Sequence, residues 1–439
     1  MDKEKIIEIL SDWNFWKKDL DIGIYRENYL KKFLEFIESD KVISIVGVRR
    51  SGKSTLMKQI AKQLIEKGIS KNDILIVNFE EPQFENLDVD FLIRIYQAYN
   101  EIIRPTSKPY IFLDEIQNVK NWERFARSIN EKKEANIVIS GSSSKLLSEE
   151  LATILTGRQI YFEVFPLSFE EFLCFKDLKI KDKKDILLYA NEIRTFFREY
   201  MQFGGFPEIV LNNNEEFKRR VLISYYEDII NRDMVQRFKI EKIEQLKALV
   251  RFYLTSISSH ISFNNISKFI RLPVETIRRF SCYIETSNLV FFIKRFSFSV
   301  KQQENSTRKV YSIDVGLSNA VGFKFSKDFG RIAENIVALK LKRLQMLLPS
   351  IEIYYWKNHY ADKEVDFVIK DGLEIKKIIQ VCWDVSNEET KKREITALLS
   401  AMKELKLKEG IIITEDYENE EKINEKKIIF ISIWKWIAE

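Results

Sequence analysis

A glycine-rich loop between an apolar strand and a helix constrains this chain more than any other feature. The loop runs from Gly47 to Ser54 and reads Gly-Val-Arg-Arg-Ser-Gly-Lys-Ser, with its glycines, lysine and serine at the spacing of a phosphate-binding loop. The β-branched run 42–46 precedes it, and 55–65 follows with apolar residues at helical spacing. Inward-facing backbone N–H groups and the positive end of a helix suit phosphate. The chain is therefore predicted to bind a nucleoside triphosphate.

The side chains of this loop have separate predicted roles. Lys53 should reach the β- and γ-phosphates of ATP, and the hydroxyl of Ser54 should be a ligand of Mg²⁺. ATP and Mg²⁺ are therefore the predicted cofactors. The predicted nucleotide-binding residues of the loop are Gly47, Arg49, Arg50, Ser51, Gly52, Lys53, Ser54 and Thr55.

A second apolar segment ends in two acids. Residues 110–113 read Tyr-Ile-Phe-Leu and run directly into Asp114 and Glu115, about sixty residues after the glycine loop. Asp114 should hold Mg²⁺ through a water molecule, and Glu115 should polarise the attacking water as a general base. Together with Lys53, these acids predict ATP hydrolysis.

Three further groups each have two interpretations. Ser142 and Ser143 are either γ-phosphate sensors or ordinary loop serines, and we assign Ser142 to the nucleotide site. Arg158 is either a trigger arginine, acting in its own chain or on a neighbouring subunit, or part of a surface salt bridge, and we assign it to catalysis. Tyr25 and Arg26 precede the loop and either border the adenine or belong to a packing collar.

The composition excludes several other classes of protein. Three cysteines far apart and two histidines leave no material for a zinc site or a histidine-based triad. The N-terminus is charged, and no apolar run approaches membrane-spanning length, so we expect a cytoplasmic protein without a membrane partner. The formal net charge of +5 permits a nucleic-acid partner without requiring one.

The motifs follow one another in the order seen in a prokaryotic AAA-type ATPase family that is common in archaea. The resemblance covers nearly the whole chain and implies an α/β fold: a P-loop ATPase core with a parallel sheet, a helical lid, a winged helix and a C-terminal α/β domain similar to PD-(D/E)xK nucleases. The segments that resemble the family are 47–54, 112–117, 141–144, 155–158, 166–172, 204–208 and 231–233. The predicted domains are an N-terminal helical collar (1–40), the core (41–175), the lid (176–240), the winged helix (241–320) and the nuclease-like domain (321–439). We also expect a homo-oligomer.

The predicted winged helix has basic residues on the two elements that would contact DNA. Arg278 and Arg279 lie on its second helix, and Lys294 and Arg295 lie on the strand that follows. Their positions suit the phosphates of double-stranded DNA, whereas a protein-contacting winged helix is the alternative. We expect the same basic surface to include Lys301, Arg308 and Lys309.

The resemblance also implies a magnesium site in the nuclease-like domain, made by a helical acid, an aspartate and an acid-x-Lys pair. Glu334 and Asp366 fit the first two places, but Gln380 and Cys382 stand where the pair is expected. An amide is a poor ligand for a hard cation, so we predict a degenerate site without DNA cleavage. The rival acid-x-Lys, residues 374–376, lies near a hairpin tip, whereas Asp366 should pair closer to the buried Ile378–Gln380 end of the strand.

These observations predict an AAA-type protein that binds and hydrolyses ATP and couples the nucleotide cycle to its winged-helix and nuclease-like domains on DNA. Two alternatives remain open. One is an ATP-dependent nuclease, and the other is a nucleotide-switched scaffold that binds no nucleic acid.

Overall fold

The computed structural model of the protein describes residues 1–141, 157–322, 328–358 and 363–438. The chain divides into two compact units, Met1–Val164 and Phe165–Glu439, each with its own sheet. Within the described ranges, no helix is both long enough and apolar enough to cross a membrane.

The described part of the first unit contains a five-stranded sheet in the order β2-β3-β4-β1-β5, with every neighbouring pair parallel. Four of its strands are apolar and buried on both faces, as expected for a parallel sheet between helices. The α/β class predicted from the sequence is thus confirmed. The strands are β1 (Val42–Val46), β2 (Ile74–Asn78), β3 (Tyr110–Asp114), β4 (Asn136–Ser140) and β5 (Gln159–Glu163).

Amphipathic helices bury their apolar faces against this sheet. The side chain of Asp88 caps the helix that begins at Val89, and Phe91, Leu92 and Ile95 of that helix join the core. Among the described residues of this unit, the helices are α1 (Lys3–Leu10), α2 (Glu27–Phe36), α3 (Lys53–Glu66), α4 (Val89–Ala98) and α5 (Trp122–Glu131), with short 3₁₀ or π turns at Lys71–Asp73, Tyr99–Ile103 and Ile116–Asn118.

The N-terminal segment packs onto the sheet as a collar. Ile6, Ile9 and Leu10 of α1 belong to the same buried core as the strands. The buried amide of Asn14 donates to Ile76 O at 2.8 Å and accepts from Ile76 N at 2.7 Å, which ties the segment to β2. These contacts agree with the interpretation of residues 1–40 as a packing collar.

The second unit begins with helices and continues into a larger sheet. Among its described residues the helices are α6 (Phe169–Phe175), α7 (Lys183–Leu188), α8 (Ala190–Phe203), α9 (Pro207–Leu211), α10 (Glu215–Asp228), α11 (Ile243–Thr255), α12 (Phe263–Ile270), α13 (Val274–Thr286), α14 (Val300–Asn305), α15 (Val315–Val321), α16 (Phe329–Leu347), α17 (Glu388–Glu404) and α18 (Ile433–Ala438), with a π-helical stretch at Ile229–Gln236.

The described strands of the second unit form one nine-stranded sheet in the order β13-β14-β12-β11-β10-β9-β7-β8-β6. The three strands at the β6 end belong to the predicted winged helix: β6 lies between α11 and α12, and β7 and β8 come after α13. Strand β7 continues the sheet through a parallel pairing with β9. The strands are β6 (Ser259–Ile261), β7 (Val290–Arg295), β8 (Arg308–Ser312), β9 (Ile351–Lys357), β10 (Glu364–Asp371), β11 (Glu374–Val381), β12 (Glu409–Thr414), β13 (Asn419–Ile423) and β14 (Lys426–Ser432).

Two features of this sheet were not evident from the sequence. Helix α14 lies in the connection between β7 and β8. In addition, the predicted winged helix and the nuclease-like region share a continuous sheet across β7 and β9.

Candidate functional site

The glycine loop joins the carboxyl end of β1 to the first turn of α3. Gly47 has φ 148° and Gly52 has φ 94°, so both lie in the region of backbone space that favours glycine. A β-carbon at Gly47 would lie 2.2 Å from Val164 O, which excludes any larger residue there. Helix α3 starts at Lys53 directly after Gly52, so its unpaired N–H groups and positive dipole end face the loop.

Lys53 is held by the loop that it follows. Its side-chain ammonium donates to Gly47 O at 3.1 Å and to Val48 O at 3.2 Å, and only 5% of the residue is exposed. Ser54 and Thr55, the next two residues of the helix, are exposed. The loop therefore presents a cation, two hydroxyls and a helix N-terminus together, as phosphate binding requires.

The carboxylate of Asp114 is the second part of the site. It lies at the end of β3, accepts a short hydrogen bond from the Ser140 hydroxyl at the end of β4, and is also hydrogen-bonded by Ser54. Burial raises the pKa of Asp114, and the two hydroxyls offset part of that effect. The Ser54 hydroxyl and the Asp114 carboxylate thus supply adjacent oxygen ligands, which fits Mg²⁺.

Glu115 is placed by its backbone as well as by its neighbours. Its φ is 54°, an uncommon conformation for a residue with a side chain, and its N–H donates to the Ser140 hydroxyl at 3.2 Å. The Gln117 amide donates a short hydrogen bond to the Glu115 carboxylate, which is 8% exposed. Ser140 and Gln117 therefore orient both acids. Sequence reasoning missed both residues, although Ser140 stands at the end of its strand as Asp114 does.

The other predicted loop residues differ in their surroundings. Arg49 lies 3.3 Å from a carboxylate oxygen of Glu80, whereas Arg50 is exposed with φ 69°. The Ser51 hydroxyl is buried and has no hydrogen-bond partner among the residues described. Ser142 lies outside the described residues.

Arg158 does not reach the glycine loop of its own chain. It immediately precedes β5, which runs parallel to β1 with Gln159 opposite Val42. The loop leaves the other end of β1, so the length of a five-residue strand, roughly 16 Å, separates the two. Arg158 instead lies 3.1 Å from Glu131. Of the interpretations given above, this geometry favours the surface salt bridge and does not support action on the nucleotide within the same chain.

Arg26 is hydrogen-bonded to the backbone of the glycine loop. It is 3% exposed and donates to Ser51 O at 2.9 Å, while its own N–H donates to the Gln59 side chain at 3.2 Å. The amide of Gln59 also donates to the carbonyls of Ile22 and Ile24. Residues 22–26 are thus attached to α3, and Arg26 contacts the loop rather than an open surface.

The basic residues predicted to contact DNA fall into two groups. Arg278 and Arg279 are exposed on α13, and the nearest acid to Arg278 is Glu275 at 3.7 Å. Lys294 pairs with Glu304 at 2.5 Å, and Arg295 donates to the Lys357 carbonyl at the end of β9. Arg295 therefore holds β7 against β9, so the structure does not support it as a phosphate contact.

Lys309 was expected on the same basic surface, and that prediction is wrong. It is 3% exposed, and its ammonium contacts carboxylate oxygens of Glu334, Glu364 and Asp366. Burial lowers the pKa of Lys309, but the charges of Asp366 and Glu334 outweigh this effect and hold it well above its usual value. The lysine is therefore a buried, charged partner of the predicted nuclease-like site.

Glu334 and Asp366 are brought together as predicted, and their neighbours complete the arrangement. Burial, followed by the charge of Asp366, raises the pKa of Glu334 to about 8, because two buried carboxylates face one ammonium. The side-chain oxygen of Gln380 accepts from Asp366 N at 3.1 Å, and its amide donates to Glu394 at 2.8 Å. Burial raises the pKa of Cys382 to about 12.

The strand register separates the two alternatives for the third position. Phe367 pairs with Ile379 and Asp371 pairs with Glu374, so Asp366 lies beside Gln380 as the position argument predicts. Glu374 and Lys376 are exposed near the hairpin tip, where they pair with each other. The alternative acid-x-Lys pair at 374–376 therefore lies too far along the hairpin to form a site with Asp366.

Three segments of the chain match known domain families. Residues 39–173 match an AAA domain, 194–328 match a domain of unknown function, DUF8612, and 329–436 match another, DUF4143. The AAA match confirms the predicted ATPase-type domain.

Several of the similar proteins come from archaea. An uncharacterized ATP-binding protein of Methanocaldococcus jannaschii, MJ1076, is 24% identical over 132 residues, which cover 21% of this chain and 39% of the relative. The match to the solved structure of the Walker-type ATPase PABY2304 of Pyrococcus abyssi covers 68% of this chain and 96% of that chain, with 13% identity and a TM-score of 0.44. The uncharacterized protein MJ1544 of M. jannaschii is 36% identical over 408 residues, or 90% of this chain and 88% of the relative. This chain therefore belongs to the same family as MJ1544, a family with an AAA-type ATPase domain.

Proposed function

We propose that this chain hydrolyses ATP, with Mg²⁺, at the site built from Lys53, Ser54, Asp114 and Glu115. The observation that carries the proposal is the meeting of three elements: the first turn of α3 and the ends of β3 and β4. Asp114 is hydrogen-bonded from both sides, by Ser54 and by Ser140. The glycine loop thus lies next to two oriented acids, which supports the proposal.

Each residue has a distinct task in the proposed reaction. The loop amides and Lys53 bind the phosphates, and Ser54 and Asp114 hold Mg²⁺, which balances the phosphate charge when bound. Glu115 accepts a proton from water as the water oxygen bonds to the γ-phosphorus. The bond from that phosphorus to the β,γ-bridging oxygen breaks, releasing ADP and phosphate. Gln117 keeps the Glu115 carboxylate in position.

Two substitutions test this proposal. Glu115→Gln should retain ATP but lower turnover by roughly 100-fold to 10,000-fold, because an amide cannot accept the proton. Lys53→Ala should lose ATP affinity, because the loop loses its buried cation. Calorimetry with ATP and a phosphate-release assay measure the two effects separately. Normal turnover in Glu115→Gln would refute its role as the base, and unchanged ATP affinity in Lys53→Ala would refute the site.

We further propose that the nucleotide cycle is coupled to binding of double-stranded DNA through α13. Arg278 and Arg279 support this proposal, since both are exposed on the second helix of a helix–turn–helix arrangement formed by α12 and α13. Exposed Lys268 and Arg271 lie just before that helix and extend the basic surface. Phosphate contacts of this kind require no particular base sequence.

A matched pair of double substitutions tests the DNA proposal. Replacing Arg278 and Arg279 with Ala should weaken duplex binding and reduce the slope of log affinity against log salt by roughly one to two. Arg219 and Arg220, an adjacent exposed pair on α10, provide the control. Equal losses in both double variants would indicate only a nonspecific charge effect. If neither wild type nor variant binds DNA, the nucleotide-switched scaffold is the better description.

DNA cleavage is not part of the proposed function. Gln380 and Cys382 supply neither a third carboxylate nor a lysine beside Glu334 and Asp366. Homo-oligomerisation is part of the proposal: Arg158 lies far from the glycine loop of its own chain, and in an oligomer it would act on the nucleotide of a neighbouring copy.

A further inference from the structure

The buried ammonium of Lys309 lies among three carboxylates of the second unit. Its Nζ atom is 2.8 Å from Glu334 Oε1, 2.9 Å from Glu364 Oε1 and 2.7 Å from Asp366 Oδ1. An ammonium has three hydrogens to donate, so these three oxygens match its full capacity. We refer to Lys309, Glu334, Glu364 and Asp366 as the Lys309 cluster.

The neighbouring groups use further acceptor positions of the carboxylates. The Tyr311 hydroxyl donates to Glu334 at 2.7 Å, and Val381 N donates to the second oxygen of Asp366 at 2.9 Å. His260 Nε2 lies 2.7 Å from the second oxygen of Glu364. Every carboxylate of the cluster therefore has a second partner besides Lys309, as a buried charge network requires.

The curvature of the sheet brings these residues together. Lys309 is on β8 and Asp366 is on β10, with β7 and β9 between them in the sheet order. In a flat sheet, strands three places apart would be separated by roughly 14 Å. The direct contact shows that the sheet curls so that β8 faces β10, while Glu334 approaches from α16.

A divalent metal does not fit this arrangement. Mg²⁺ and Mn²⁺ require several oxygen ligands that face one point, and here an ammonium already lies at the point that Glu334 and Asp366 share. The nearby Gln380 amide is engaged with Glu394. In the part of the chain that the structure describes, no group of three or more His, Cys, Asp or Glu is arranged to hold a metal ion.

We propose that Lys309 is a built-in cation that takes the place of a divalent metal in the nuclease-like region. The cluster then needs no bound ion, and its charges join β8, β10 and α16. Removing the ammonium should leave three carboxylates directed at one point, and a hard cation can bind there. This inference is independent of the proposed ATP hydrolysis, since all residues of the cluster belong to the second unit.

Manganese binding to the full chain without nucleotide tests the inference. Electron paramagnetic resonance of free Mn²⁺ should reveal a saturable site in Lys309→Ala that binds at least tenfold tighter than any site in the wild type. Mn²⁺ should also raise the melting temperature of Lys309→Ala but leave that of the wild type unchanged. Lys309→Arg retains a cation and should behave like the wild type. All these proteins have the same nucleotide site, so differences between them report on the cluster.

Two results would overturn the inference. The first is a tight Mn²⁺ site in the wild type that Asp366→Asn abolishes, because a metal would then fit the native cluster. The second is a folded Lys309→Ala protein that does not respond to Mn²⁺, because the ammonium would then not stand in the place of a metal. Should Lys309→Ala fail to fold, Lys309→Gln serves the same comparison. The wild type and Asp366→Asn decide the first point without any lysine variant.

Discussion

At the scale of single residues, the hydroxyl of Ser140 does the most to arrange the acids of the nucleotide site. It donates to the Asp114 carboxylate and accepts from Glu115 N, so one buried side chain contacts the predicted metal ligand and the predicted base. It touches neither the loop nor Lys53 in these contacts. Ser140 is therefore a positioning residue, and its effect should fall on turnover rather than on ATP affinity.

Ser140→Ala should lower kcat roughly tenfold, which corresponds to about 1.4 kcal/mol, and leave ATP affinity within about twofold. The lost buried hydrogen bonds should also reduce the free energy of unfolding by about 1–3 kcal/mol. Steady-state ATPase kinetics and ATP calorimetry measure the first two quantities. Ser44→Ala is a matched control, because Ser44 is also fully buried in the sheet but hydrogen-bonds Gln159 instead. Equal kcat values in the two variants would show that Ser140 has no special role.

At the scale of elements, the loop depends on the close approach of β1 and β5. Strand β5 continues into Val164, whose N–H donates to Val46 O at 2.7 Å and whose carbonyl faces Gly47. At Gly47, where the chain turns out of β1, there is therefore room only for the hydrogen atom that glycine has in place of a side chain. The segment that follows the edge strand β5 therefore helps to fix the conformation of the glycine loop.

Gly47→Ala should destabilise the first unit by roughly 2–5 kcal/mol and reduce ATP affinity, because the new methyl group would overlap Val164 O. Gly68→Ala is the control, because it introduces backbone strain without a steric overlap. Gly68 has φ 99°, and no heavy atom lies within 4 Å of its ideal β-carbon. That control should cost about 1–2 kcal/mol and leave ATP affinity unchanged. Chemical denaturation and calorimetry check both; similar losses in the two variants would contradict the proposed contact.

At the scale of the whole molecule, stability against acid should depend on the charge network of the second unit. Burial raises the pKa of Glu364, but its hydrogen bond to His260 and the charge of Lys309 outweigh burial and lower it to about 2. A carboxyl whose pKa is lower in the folded state stabilises the fold above its unfolded value near 4.5 and loses that effect as the pH falls towards 2. The shift corresponds to a contribution on the order of 3 kcal/mol.

Glu364→Gln should therefore destabilise the protein at pH 6 and unfold with a shallower dependence on pH between about 4.5 and 2. Circular dichroism during acid titration measures this dependence. Glu374→Gln removes an exposed carboxylate at the hairpin tip and should follow the wild-type curve. A Glu364→Gln curve parallel to that of the wild type would mean that the network does not stabilise Glu364 in its charged form.

The sequence alone determined the α/β class and the glycine loop, because their causes are local. The strand, the two glycines, Lys53 and the first turn of α3 are contiguous, so covalent spacing by itself brings the backbone N–H groups and the cation together. That Asp366 lies near the 378–380 end of β11 was also predictable, since a hairpin pairs its two strands outward from the turn. The β-bulge between Ile369 and Lys370, which shifts the register by one residue and brings Gln380 beside Asp366, was not. In each case that was predictable, the residues are close together along the chain, so only a few backbone conformations are compatible with the sequence pattern.

Only the tertiary structure decided which distant residues complete these sites. Ser140 reaches Asp114 because β4 lies beside β3 in the sheet, and Arg158 is removed from the loop because β5 runs parallel to β1. Lys309 has the sequence signature of an exposed basic residue on a strand, yet the curl of the larger sheet buries it among acids from β10 and α16. Strand order and sheet curvature arise from packing summed over the whole unit, so no local pattern of residues specifies them.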